Sequence, residues 1–161
     1  MQITRLNHAV LFVSDLEESL GFYRSVFGFD VVATEPRANA AFLKAPGSGN
    51  HHDLGLFGVG PAAAPKVRGG IGLYHLAWQV DTIGGLVEAR RTLLEAGALT
   101  GESSHGATKS LYGADPDGNE FEIMWLLPRD AWGEHEHKAI VEPLDLAAEV
   151  SRWDGVSTGS L

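Results

Sequence analysis

Two histidines and a glutamate stand out because each lies on a strand-like stretch whose apolar neighbours are phased the other way. Around His75, the side chains of Tyr74, Leu76, Trp78 and Val80 form an apolar face, while His75, Ala77 and Gln79 point opposite. Residues 120–127 alternate in the same manner, with Phe121, Ile123, Trp125 and Leu127 on one face and Glu120 and Glu122 on the other. His8 takes the equivalent place on the run ending at Val13. Two imidazoles and one carboxylate from three strands can occupy one face of an octahedron and leave positions open for a substrate and oxygen. Non-haem Fe(II) oxygenases use that arrangement. Imidazole and carboxylate also suit Mn²⁺, Co²⁺ or Zn²⁺, so ligand type does not settle the metal. The competing account is a pair of half-buried strand histidines satisfied by backbone carbonyls. The similar placement of His8 and His75, with Glu122 opposite an apolar face, favours the metal.

The elements that must hold these residues recur in order. Residues 3–13 are expected to be a strand; Ser14 or Asp15 caps a helix with Glu17 and Glu18 in its first turn, and Gly28 stops it. Strands are expected over 29–34, 40–44 and 51–57, the last after the turn Pro46-Gly47-Ser48-Gly49-Asn50. A linker rich in Gly, Pro and Ala follows at 60–72. The same order then returns: a strand over 73–80, a helix capped by Asp81 or Thr82 and ended by Ala96-Gly97, and three shorter β segments. The last two are joined by Asp115-Pro116-Asp117-Gly118-Asn119, a turn by its chemistry. Aligning His8 with His75 puts Val13 on Val80, an internal β-α-β-β-β repeat weak in identity and clear in order.

The expected fold is therefore α+β: two paired β-α-β-β-β units, at 1–59 and 73–127, forming a curved mixed sheet around a metal site. A tail at 128–161 carries a short helix over 144–150. In that tail Glu134 to Lys138 reads as a solvated charged loop, with His135 and His137 too separated to favour metal, and 155–161 as a frayed end.

Composition narrows the function. A formal net charge of −9 argues against nucleic acid or an anionic membrane as partner. The absence of cysteine excludes disulfides, thiolate metal sites and cysteine nucleophiles. No apolar run approaches a bilayer span and the N-terminal residues do not lead into a signal-peptide core, so a soluble cytoplasmic protein is expected.

His105, Leu111, Tyr112, Asp115, Pro116, Gly118 and Glu122 together resemble the C-terminal signature of the vicinal-oxygen-chelate superfamily (glyoxalase, bleomycin-resistance and extradiol dioxygenase proteins). Ser103, two before His105, departs from the residues usual in that signature. Residues 50–57 resemble the family's His-His-x-hydrophobic strand, and 125–132 and 141–146 resemble the tail of small catechol 2,3-dioxygenase-like proteins.

The resemblance covers nearly the whole chain and is strongest to that extradiol branch. It implies His8, His75 and Glu122 as metal ligands within one subunit, His52 as acid/base residue, and His105 and Tyr112 as donors beside the metal. It further implies Fe(II), with Mn(II) or another divalent ion as alternatives, a small aromatic substrate and O₂, and a homodimer. The function expected is extradiol cleavage of a catechol-type ring. His51 is expected to be an exposed neighbour, and Trp78 and Trp125 core. A glyoxalase-type isomerase or lyase is the nearest rival; such enzymes commonly carry a second glutamate at the end of the first unit, where this chain has His51-His52-Asp53. A metal-free ligand-binding protein of the bleomycin-resistance kind is the other.

Overall fold

In the computed structural model, which describes residues 1–158, Asp15 accepts hydrogen bonds from the N–H groups of Glu17 (2.9 Å) and Glu18 (3.0 Å) and so starts the first helix. That helix, α1 (Leu16–Phe27), ends at Gly28, whose φ of 66° is the left-handed conformation glycine supplies cheaply. It belongs to the first of two units, Met1–Val67 and Arg68–Leu161. The first unit runs β1 (Ala9–Val13), α1, β2 (Asp30–Glu35), β3 (Ala40–Lys44) and β4 (Leu54–Gly58), in sheet order β1-β4-β3-β2. The β1–β4 pair is parallel and the others antiparallel. Leu11, Val13, Leu43, Leu54 and Leu56 are buried on the helix side, together with Tyr23 of α1 and Phe29.

The second unit repeats this plan: β5 (His75–Val80), α2 (Ile83–Glu95), β6 (Leu99–Ser104), β7 (Thr108–Ala114) and β8 (Glu120–Leu126), ordered β5-β8-β7-β6 with β5–β8 parallel. Thr82 caps α2 through Gly85 N–H. Ile83, Leu86 and Leu93 of α2 bury against Leu111, Ile123 and a fully buried Trp125, and α2 is tied to β6 by Arg90, which grips both Glu102 carboxylate oxygens at 2.9 and 3.0 Å. The fold is α+β, as the repeat implied. Trp78 is half-buried. Among the described residues no helix is long and apolar enough to cross a membrane.

Four expectations need correction. β1 begins at Ala9, not at residue 3, because its partner β4 begins only at Leu54; upstream, Asn50 Nδ2 takes the Asn7 carbonyl (2.8 Å) in place of a ladder bond. β4 likewise excludes His51 and His52. Tyr74 precedes β5 and is 67% exposed, so it is not core. The charged segment at 133–137 forms a 3₁₀ turn, with His135 half-buried against Gly106.

The tail also does more than fray. Its helix α3 (Leu146–Trp153), capped by Asp145, sets Trp153 against Trp125 at 5.9 Å between ring centres. Ser157 pairs with Thr82 and Thr158 N–H bonds Asp81 O at 3.0 Å; residues 159–161 of the expected frayed end lie outside the described residues.

One anchor of the tail is a buried ion pair. Lys109 points to the helix side of β7, only 6% exposed, and its Nζ reaches Glu149 of α3 (2.7 Å) and Ser104 Oγ (2.9 Å). A buried ion pair is weak evidence of net stability, but breaking it leaves a stranded charge. Glu149→Leu strands the more deeply buried Lys109 and should cost about 3 kcal/mol in denaturant unfolding. Lys109→Met should cost less, because Glu149 can turn to water, and the double replacement should recover most of the loss. Additive losses would mean the two charges act independently.

In the first unit Asp53, 7% exposed, clamps the turn that carries His51 and His52. It accepts from Ala45 N–H (2.8 Å), Ser48 Oγ (2.7 Å) and Asn50 Nδ2 (2.7 Å). Burial pushes its carboxyl up, but these bonds and the Lys44 charge outweigh burial and hold it below its ordinary value of 3.8. The folded value lies below the unfolded one, so this stabilisation is complete above pH 3.8 and lost as pH falls through the folded value. Asp53→Asn should lower stability at neutral pH by about 1–3 kcal/mol, and the gap should close in acid. A gap unchanged down to pH 3.8 and below would assign Asp53 no charged role.

Candidate metal centre and its hydrogen-bond network

β8 lies between β5 and β7, and that order brings the second unit's polar side chains together. His75 is registered directly opposite Glu120, and Glu122 opposite Ala77. Glu120 is engaged by Arg68 at 3.6 Å, while Glu122 Oε2 lies 3.1 Å from His75 Nε2. It is therefore the diagonal neighbour, Glu122, that meets the imidazole, as long side chains on one sheet face allow. Both groups are largely enclosed, at 26% and 12% side-chain exposure.

Tyr112 of β7 is registered opposite Glu122, and its ring centre lies 5.9 Å from that of His75. Its hydroxyl is 2.6 Å from His105 Nε2. His105 Nδ1 lies 2.8 Å from the Ile140 carbonyl, and its Nε2 also 2.8 Å from Ser103 Oγ. The second unit thus gathers His75, Glu122, Tyr112 and His105 into one neighbourhood, and adds Ser103 and Ile140.

The first unit gathers His8 and His52, their ring centres 4.4 Å apart. His8 Nδ1 donates to Asn7 Oδ1 (3.0 Å), so in the neutral ring Nε2 keeps its lone pair, the tautomer a metal ligand needs. His51 is exposed, as expected, and its Nδ1 lies 3.0 Å from His52 Nδ1. Burial, with His8 and His51 alongside as like charges, pushes the His52 imidazole below its ordinary value against the opposing pull of Asp53. His52 is then neutral near pH 7 and able to take a proton. Its ring packs on Phe42 (5.1 Å), Phe42 on Phe57 (6.1 Å), and Phe57 on Phe12 (6.5 Å), a row of rings on the sheet face away from the core.

The donor set can be tested for a metal on the His75–Glu122 pair. Two ligands held at about 2.1 Å and at right angles lie about 3.0 Å apart, close to the 3.1 Å observed. Glu122 has no Lys or Arg partner among the described residues, and His75 Nδ1 is buried with no hydrogen-bond partner there, so the ring's polar engagement is through Nε2. These groups fit a divalent cation. Within either unit, among the described residues, no group of three or more His, Asp or Glu side chains is assembled around a common point.

Sequence reasoning missed Ser103, Ile140 and Asp53. Ser103 was visible only as a departure from a signature, and Ile140 acts through its carbonyl, which no side-chain motif reports. The register also identifies the first-unit counterpart of Glu122: Val10 pairs with Gly55 as Ala77 pairs with Glu122, and Phe42 pairs with Gly55 as Tyr112 pairs with Glu122. A side chain at Gly55 would press on Phe42 and Val10 at 3.4 Å. The position corresponding to Glu122 is thus glycine, not part of His51-His52-Asp53.

Comparison with known proteins agrees with this architecture. The chain is 35% identical over 131 residues to a catechol-2,3-dioxygenase of Bacillus subtilis, covering 80% of this chain and 44% of that protein. It is 34% identical over 122 residues to biphenyl-2,3-diol 1,2-dioxygenase 3 of Rhodococcus globerulus, covering 74% and 62%. This chain therefore spans only about half the length of these relatives. Among solved structures it is similar to a genomically encoded fosfomycin resistance protein of Listeria monocytogenes, with a TM-score of 0.59, 20% identity, and 77% of this chain and 94% of that one covered. At that identity the likeness is one of fold alone. Residues 5–123 match the Glyoxalase/Bleomycin resistance protein/Dioxygenase superfamily, and with its doubled β-α-β-β-β plan the chain belongs to that superfamily.

Proposed function

We propose that this protein is a metal-dependent extradiol dioxygenase that opens a catechol-type ring with O₂. The observation that carries the proposal is the enclosed His75–Glu122 pair with Tyr112 and His105 beside it. The dioxygenase names of the relatives from Bacillus and Rhodococcus support it. Glycine at the counterpart of Glu122 weighs against a glyoxalase-type reaction that uses a second glutamate in the first unit.

In this proposal His8, His75 and Glu122 hold one divalent cation, Fe(II) first and Mn(II) or another ion as alternatives. When bound, the ion supplies Lewis acidity toward the catechol hydroxyls and redox chemistry toward O₂. His52, neutral near pH 7, takes the proton of the second hydroxyl and later returns it. Tyr112 and His105 orient the ligand oxygen through their shared hydrogen bond. The row Phe42, Phe57 and Phe12 offers ring edges and faces to an aromatic substrate. A homodimer is the assembly proposed, to be checked by light scattering.

Protein loaded anaerobically with Fe(II) should consume O₂ in step with loss of a catechol. His75→Ala should lose the metal by elemental analysis; occupancy equal to the unaltered protein would remove this site. His52→Phe should keep the metal and slow ring opening by roughly 10²–10⁴, the contribution typical of an acid–base group. A less acidic catechol should suffer more than an electron-poor one that ionises unaided. Full activity of His52→Phe on both would make His52 scaffold.

A further inference from the structure

Ser103 is 7% exposed, next to last in β6, and registered opposite Ser110. Its hydroxyl lies 2.8 Å from His105 Nε2 and 3.3 Å from the Tyr112 hydroxyl. The direction of these bonds follows from the far end. A carbonyl oxygen can only accept, so His105 Nδ1, 2.8 Å from Ile140 O, carries the hydrogen. The neutral ring then has one lone pair, at Nε2, and two hydroxyls within reach of it. The phenol is the stronger acid and the nearer, at 2.6 Å, so Tyr112 donates to His105. The Ser103 hydrogen is left for the Tyr112 oxygen.

We propose that Ser103 is a positioning residue: with the Ile140 carbonyl it sets a one-way chain, Ser103 to Tyr112 to His105 to Ile140, that holds His105 as the Nδ1–H tautomer and fixes the Tyr112 hydroxyl. The C-terminal segment is part of this device. Ser104, the next residue on β6, exchanges backbone hydrogen bonds with Glu142 at 2.8 and 2.9 Å, an isolated bridge that seats the segment bringing in the Ile140 carbonyl. The residue that departs from the family signature therefore adds a second hydroxyl to the Tyr112–His105 pair. The geometry stands on the second unit alone; the kinetic consequence rests on the dioxygenase proposal above.

Nitrogen-15 and carbon-13 NMR of doubly labelled whole protein tests it, with the His105 signals identified by their loss in His105→Asn. The unaltered protein should show His105 protonated at Nδ1 and bare at Nε2. Ser103→Ala should move the His105 Nε2 and Tyr112 Cζ resonances, and Ser103→Thr, which keeps the hydroxyl, should restore them. If catechol turnover is present, Ser103→Ala should lower kcat roughly 2- to 10-fold, the equivalent of one neutral hydrogen bond, with KM and metal content unchanged and Ser103→Thr again restoring it. An Nε2–H tautomer in the unaltered protein, or resonances indifferent to Ser103→Ala, would overturn the proposal. Absence of any catechol turnover would sink the dioxygenase proposal alone, since the NMR outcomes stand without it.

Discussion

The parallel register of β5 on β8 is the constraint on which the second unit's chemistry depends. Side chains alternate with a period of two, so a slip of one residue would turn Glu122 into the core and Ile123 outward. What prevents the slip is apolar packing on the other side. Phe121, Ile123 and Trp125 are each at most 4% exposed, and Trp125 also donates from its indole nitrogen to Asp81 O at 3.3 Å. The buried face thus holds Glu122 beside His75, and β7, registered to the same strand, delivers Tyr112. No dedicated interaction is needed to aim the carboxylate; the core aims it.

The first unit shows the same scaffold with the polar groups removed. Its counterparts of Glu122 and Tyr112 are Gly55 and Phe42, joined across the sheet in equivalent register. Phe42 lies over Gly55 because nothing branches there, and Phe57 and Phe12 extend the row. The histidines sit at its margin, His8 just before β1 and His52 just before β4, outside the ladder hydrogen bonds. At equivalent ladder positions the second unit thus carries Glu122 and Tyr112 and the first a glycine under a row of rings, with the first unit's histidines outside its ladder.

Much of this is legible in the sequence. Helix starts at Asp15 and Thr82, the stop at Gly28 and the phasing of residues 120–127 follow from local rules: a carboxylate or hydroxyl accepting orphan N–H groups, glycine at positive φ, alternation about a core. Strand limits are not, because a strand ends where its partner ends, and the Asp53 clamp that delays β4 until Leu54 is built from atoms eight residues apart and less. No local rule marks Lys109 as a core residue either. Its burial depends on Glu149, forty residues on, which no periodicity within β7 announces.

The alternation that hides Lys109 also explains why the tail matters to the site. On β6 and β7, Ser103 and Tyr112 face one side, while Ser104 and Lys109 face the other. The first pair belongs to the hydrogen-bond chain and the second grips the tail, through Glu142 at the strand edge and Glu149 in α3. Adjacent residues of a strand are rigidly coupled by the peptide geometry, so the tail cannot shift at Ser104 without moving Ser103. The return contact, Ile140 on His105, closes the loop. A segment that lies beyond the repeat is thereby fastened on both sides of the strands that carry Tyr112, and the tautomer of His105 is set by backbone that the repeat itself does not contain.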